Sequence, residues 1–207
     1  MKFLLPFFFL FVLFTTYLNG DTLITKKLEE RALKKYGVFA KNRFVDIAKS
    51  LLHGLQNAST MKKLNTVNSW VNFTPYASDI QVYGVRDYWA TLYEFVGKNR
   101  GDCEDYTIAK YYILKALGID PHRMKFAYVI YKNSRGKKSS HMVLAYFKVP
   151  RPKSKDDILI LGNNNRLVLP ASKRPDLIKM IKMINGDTGP KSRKWKRLEA
   201  NMKRKKL

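Results

Sequence analysis

The chain has 207 residues, of which 40 are Lys or Arg and 16 are Asp or Glu, for a formal net charge of +24. With 45% hydrophobic and 13% aromatic residues it is too apolar for a disordered polycation, and it is long enough for one domain with a buried core. A single cysteine, Cys103, excludes an internal disulfide framework, so the thiol is buried, paired between chains, or kept for chemistry.

The chain opens MKFLLPFFFLFVLFTTYLNG, with Lys2 ahead of an almost wholly apolar run over residues 3–14. That run has the length of a signal-peptide core and is short for a membrane span, so residues 1–20 read as a secretory leader. An uncleaved N-terminal anchor is the other reading. Export argues against nucleic acid as the target of the positive charge. The expected organisation is a leader over 1–20, one domain over 21–190 and a basic C-terminal tail over 191–207. The tail holds nine basic residues and one acid. It reads as a solvated end, with weak contact to an anionic membrane surface as the alternative, and as a helix it would carry Trp195 and Leu198 on one side.

Within the domain, helical spacing runs over residues 23–55 (Leu28, Ala32, Leu33, Tyr36, then Phe44, Ile47, Leu51, Leu55), with Gly37 dividing two helices. Residues 59–73 predict another helix, capped by Ser59 and ended by Pro75. Residues 78–88 read as irregular and 89–96 as a short helix. Gly101 then permits a turn, Asp102 is a good N-cap, and Asp105 three residues on completes a capping-box-like pair. The helix that follows, from Cys103 to about Leu117, is apolar on most faces and therefore buried. The period then changes to two. Residues 124–131 and 141–147, around a polar loop with Gly136, then 158–161 and 167–169, predict antiparallel strands. Helices followed by strands give an α+β domain.

A thiol attacks as thiolate, which a helix N-terminus and a nearby imidazolium favour. Cys103 has the first by position. Of His53, His122 and His141, the last opens a strand expected to pair beside the helix, and is the preferred partner. An inert buried thiol with a surface histidine is the bland reading.

The stretch GDCEDYTIAKYYILKALGI around Cys103 resembles the cysteine-helix signature of bacterial transglutaminase-like cysteine peptidases of the LapG type. So do DYWAT at 87–91, HMVLA at 141–145 and PAS-x-R-x-DLI at 170–178, in the same order. The resemblance spans roughly residues 60–185. It implies a papain/transglutaminase-like fold, with N-terminal helices and a central Cys-bearing helix packed on an antiparallel sheet. It implies Cys103 as nucleophile and His141 as base and then acid. It also implies a periplasmic enzyme that cuts a large surface adhesin near its N-terminal anchor, and an inner-membrane cyclic-di-GMP receptor as a sequestering partner.

One position departs from the family. Where the family has an aspartate after the histidine strand, this chain reads LGNNNR and has Gly162. Asn163 could replace it by accepting the imidazole N–H, as in Cys-His-Asn enzymes. Asp156 and Asp157 are rivals, set early along the strand. A disabled site that only binds protein is the alternative function, and a cationic surface binder the third. The acids flanking the thiol need an account too, because carboxylates raise a thiol pKa. Capping explains Asp102 and Asp105, with Glu104 facing water or a Lys/Arg. The other account is calcium held by Asp102 and Glu104, which the resemblance implies.

Overall fold

The computed structural model describes residues 23–186 and 191–205. The predicted leader lies outside the described residues. No helix among them is long and apolar enough to cross a membrane.

Thr25 caps the first helix, α1 (Lys26–Tyr36), by accepting from Leu28 N, and α2 (Val38–Asp46) follows at once and runs on as a π-helical segment over Ile47–His53. Gly37 joins them at φ 86°, a backbone conformation glycine adopts freely. Helix α3 (Thr60–Asn72) is capped by the Ser59 hydroxyl, as its sequence predicts. The segment read as irregular contains a single turn of helix, α4 (Asp79–Tyr83), with a Ser78–Gln81 capping pair. The next helix, α5 (Leu92–Lys98), starts three residues later than expected, because Thr91 and Glu94 form its capping box and leave residues 89–91 extended.

The central helix, α6 (Cys103–Ala116), buries nearly every face. It packs against α3, α5 and a five-stranded antiparallel sheet in the order β4-β3-β2-β1-β5. The strands are β1 (Met124–Lys132), β2 (Lys138–Phe147), β3 (Ile158–Leu161), β4 (Leu169–Pro170) and β5 (Leu177–Asn185). Alternation divides β2 between two clusters. Met142 and Leu144 join the main core under α6, and Val143 and Ala145 join a smaller cluster with Val129 and Ile160. Alternation therefore sets His141 on the side of Val143.

Two elements differ from the sequence reading. Strand β5 was not expected: in LIKMIKMIN the apolar residues do not alternate, and its pairing with β1 shifts register twice, between Tyr128 and Val129 and between Ile130 and Tyr131. The basic segment after 190 is a docked helix, α7 (Arg193–Lys205). Trp195, Leu198 and Met202 fall at three- and four-residue spacing on one face and are buried. The Trp195 ring meets Trp89, Tyr111, Tyr112 and Phe126, and Lys194 pairs with Asp87.

A candidate cysteine active site beside an acidic cluster

Cys103 is the first residue of α6, where backbone N–H groups have no partner within the helix. The turn before it is tight for a packing reason. A Cβ at Gly101 would stand 2.7 Å from Asp105 Oδ2 and 2.8 Å from Phe95 Cδ2, so only glycine lets the carboxylate lie against the backbone. Asp105 is fully buried; its Oδ2 accepts from Asp102 N at 3.3 Å and its Oδ1 from Ala90 N at 2.8 Å. It thus ties the extended 89–91 segment to the start of α6.

The thiol is held against β2. The Met142 backbone N–H donates to Cys103 Sγ, and the Thr107 hydroxyl lies between Cys103 O at 2.8 Å and Met142 O at 3.2 Å. The helix start and the strand that carries His141 are therefore pinned together one residue from the imidazole. Among the described residues no hydrogen bond joins sulfur and imidazole. Sγ donates instead to Glu104 Oε2 at 2.8 Å. Glu104 is half-buried and, among the described residues, forms no ion pair with a Lys or Arg. Burial, and next the Glu104 charge, push the Cys103 thiol far above its usual range.

The His141 ring is half-buried beside Tyr131, with centroids 5.5 Å apart, and its Nε2 is buried without a partner. Burial, then the charges of Arg174 and Lys110, lower its pKa to about 4, against a smaller opposing effect of Asp176. His122 is exposed in a 3-10 turn after Pro121, and His53 ends the π-helical segment.

After β3 the chain turns through Gly162, Asn163, Asn164 and Asn165, and α3 fixes this turn: Asn72 Nδ2 donates to Gly162 O at 2.9 Å and Asn68 Nδ2 to Arg166 O at 2.9 Å. Asn163 is half-buried and its Oδ1 is buried and unpartnered. The rival acids are engaged elsewhere. Asp156 accepts from Ser172, and Asp157 accepts the backbone N–H groups of Lys153 and Ser154.

The acidic cluster is larger than the sequence suggested. One set of ligand atoms within 4.8 Å of each other comes from Asp102, Cys103 and Glu104, and a second from Asp79, Asp102 and Asp105. Asp79 is buried at the start of α4, brought there by the Tyr76–Gly101 bridge and the Ala77 N to Gly101 O bond of 2.9 Å. Its Oδ2 accepts from Tyr88 N at 2.7 Å, while its Oδ1 and Asp102 Oδ1 are buried with no partner. Burial, with Glu104 and then the other carboxylates next, raises Asp102 to about 9; burial raises Asp105 to about 8. Two orphaned, converging carboxylate oxygens among mutually repelling acids suit a hard cation. The sequence signal for Asp79 was weak: a Ser78-x-x-Gln81 capping pattern marks the helix start, and nothing marks the approach to Cys103.

A family model, bacterial transglutaminase-like cysteine proteinase, matches residues 46–201. The chain belongs to this family. Among solved structures, Legionella pneumophila LapG is similar at 29% identity and a TM-score of 0.68, with 88% of this chain and 97% of that chain covered. The calcium-bound form of that protein matches at 27% identity and a TM-score of 0.65, covering 88% and 99%. Its EGTA-treated form matches at 27% and 0.67, covering 88% and 97%. No curated protein sequence matches. The transglutaminase-like α+β fold and the LapG-type resemblance read from the sequence agree with these findings. The cysteine proteinase family takes in α7 as well, since its model runs past residue 190.

Proposed function

We propose that the chain is an exported, calcium-dependent cysteine endopeptidase that acts in the periplasm on a large surface adhesin, near the adhesin's N-terminal anchor. The observation that carries the calcium dependence is the acidic cluster with its two orphaned oxygens, which includes the residues on either side of the thiol. The calcium-bound state of the similar Legionella LapG supports the choice of ion. Asp79, Asp102, Glu104 and Asp105 are the residues that would hold it. Bound calcium supplies two positive charges beside the sulfur, which offset the carboxylate repulsion that now favours the neutral thiol.

The chain's own residues divide the chemistry. Cys103 is the nucleophile and gives its proton to His141. The sulfur adds to the scissile carbonyl, and the Cys103 backbone N–H at the helix start is the natural donor to the resulting oxyanion. His141 then protonates the leaving amine as the C–N bond breaks, and water hydrolyses the thioester. Asn163 Oδ1, buried and free to accept, is the candidate to orient the imidazole. Thr107 keeps α6 and β2 in register through this sequence.

The exposed Lys196, Arg197, Lys203 and Arg204 give α7 a basic outer surface suited to weak contact with anionic membrane. An inner-membrane cyclic-di-GMP receptor is the proposed sequestering partner. The test is cleavage of an adhesin N-terminal fragment: Cys103→Ala abolishes it and a chelator such as EGTA inhibits it. Cleavage that survives the loss of Cys103 refutes the proposal.

A second reading is a binding module with a silent site. The unpartnered His141 Nε2 and the raised thiol favour it. Alkylation of Cys103 against pH separates the two. A half-reaction pH near that of free cysteine in saturating calcium, with no turnover, selects the binding module.

A further inference from the structure

A cavity of about 280 Å³ adjoins His141, where β1, β2 and β5 meet the residues that lead into α7. A fault in the sheet shapes it. Val129 is the cross-strand partner of His141. On the other side of β1 the register slips: Tyr128 pairs with Lys182 and Val129 with Met180, which leaves Ile181 as an extra residue in β5. Neighbours along a regular strand point to opposite faces. At this bulge Ile181 and Lys182 both line the cavity, so two successive side chains serve the space beside the histidine. Ile181 is 55% exposed there, a large apolar side chain left open to solvent.

The lining divides by chemistry. Tyr128, Ile181 and Ile184 form an apolar wall, and Lys182 and Lys191 bring two positive charges. None of the lining residues is acidic. Both lysines are exposed, and among the described residues neither forms an ion pair. Such a lining suits a side chain with an apolar stem and a negative end. The volume is ample for glutamate, whose methylenes would lie along Ile181 and Ile184 while its carboxylate meets the two ammonium groups.

The position of the cavity sets which part of a substrate reaches it. The Met142 backbone N–H, one residue from His141, holds the Cys103 sulfur, but Cys103 does not line the cavity. In the peptidase reading His141 protonates the leaving amine, so the chain that follows the scissile bond departs past the imidazole. We propose that this cavity is the subsite for an acidic side chain, glutamate above all, just C-terminal to the scissile bond, with Lys182, Lys191 and the bulged Ile181 setting the preference. The place in the substrate rests on the peptidase reading; the selection of acidic side chains does not.

The test uses the full chain with calcium and a synthetic library of acetylated octapeptides randomised over Glu, Lys, Leu, Ala and Gly. Mass spectrometry reads which peptides the Cys103→Ala protein captures and where the wild type cuts. Captured peptides should be enriched in Glu over Lys, and Glu should be enriched just after the cut bond. An exposed lysine–carboxylate pair is worth a factor of about 1.4 to 5, so losing both should lower the preference about 2- to 25-fold. Lys182→Gln with Lys191→Gln should show that loss, and Lys182→Glu with Lys191→Glu should favour Lys instead. Lys196→Gln with Lys203→Gln removes the same charge from the exposed surface of α7 and should keep the preference. No preference for Glu in capture, a preference that survives the loss of Lys182 and Lys191, or one lost equally in the α7 control overturns the proposal. Glu enriched before the cut bond and not after it overturns the placement. A lysine-dependent Glu preference in capture with no cut by the wild type removes the peptidase reading and leaves the selectivity of the cavity standing.

Discussion

Trp195→Ala asks whether α7 belongs to the folded domain. The indole is 5% exposed and packs against Trp89, Tyr111, Tyr112 and Phe126. Truncating a buried tryptophan to alanine costs about 3–5 kcal/mol in transfer and cavity terms. The buried indole N–H has no partner, so its removal returns about 1 kcal/mol. The net loss expected is about 2–4 kcal/mol, or roughly 4–16 °C in melting temperature for a domain of this size. Urea unfolding followed by far-UV circular dichroism measures it, with Lys196→Ala, on the exposed face of the same helix, as a control expected within about 0.5 kcal/mol of wild type. Calcium affinity should fall as well, because Lys194 holds Asp87 in the segment whose Tyr88 N–H orders Asp79. A stability loss under about 1 kcal/mol for Trp195→Ala would mean that the helix is a loosely attached end, and the packing argument would fail.

Asp79→Asn should weaken calcium binding on the order of 10- to 100-fold by calorimetry, as loss of a charged ligand or of its support does, while the calcium-free protein gains stability from lost repulsion. Unchanged affinity would confine the ion to the residues beside Cys103. In chelator, the contribution of Asp102 and Asp105 to stability should be fully present below about pH 4 and should be lost as pH rises, because they hold protons in the folded state up to about 9 and 8 that the unfolded chain releases near 4. Melting temperatures between pH 4 and 9 should show this decline and its removal by calcium; a flat profile in chelator contradicts it. Thr107→Val deletes the bridge between Cys103 O and Met142 O. It should cost about 1–2 kcal/mol of stability and lower kcat more than it raises KM, since the nucleophile and its strand lose their register.

The sequence made α6 legible because several local signals agree there: Asp102 and Asp105 at its start, apolar residues on most faces, and Gly118 after its end. Alternation did the same for β1 and β2. It failed for β5, where two register shifts let apolar residues appear on both sides of an edge strand, so neither period fits. In α7 Trp195 and Leu198 could be seen to share one side of a helix, but not that this side docks, because its burial depends on aromatic partners from α6, β1 and the segment before α5. In the site, Cys103 and its flanking acids could be found by position alone. Asp79 could not, since a lone bridge between Tyr76 and Gly101 delivers it. Nor could Lys110 and Arg174 be singled out among 40 basic residues, because burial is what sets them apart.

The hydrogen bond from the Cys103 thiol to Glu104 also bears on how the sulfur resists oxidation. Peroxides and disulfides react with thiolates, and a sulfur that keeps its proton engaged with a neighbouring carboxylate presents little of that form. A lone reactive cysteine is ordinarily a liability wherever oxidants reach it. Here the carboxylate next to it acts as a built-in safety catch, sparing the sulfur from sulfenic acid and from stray mixed disulfides until conditions at the cluster change.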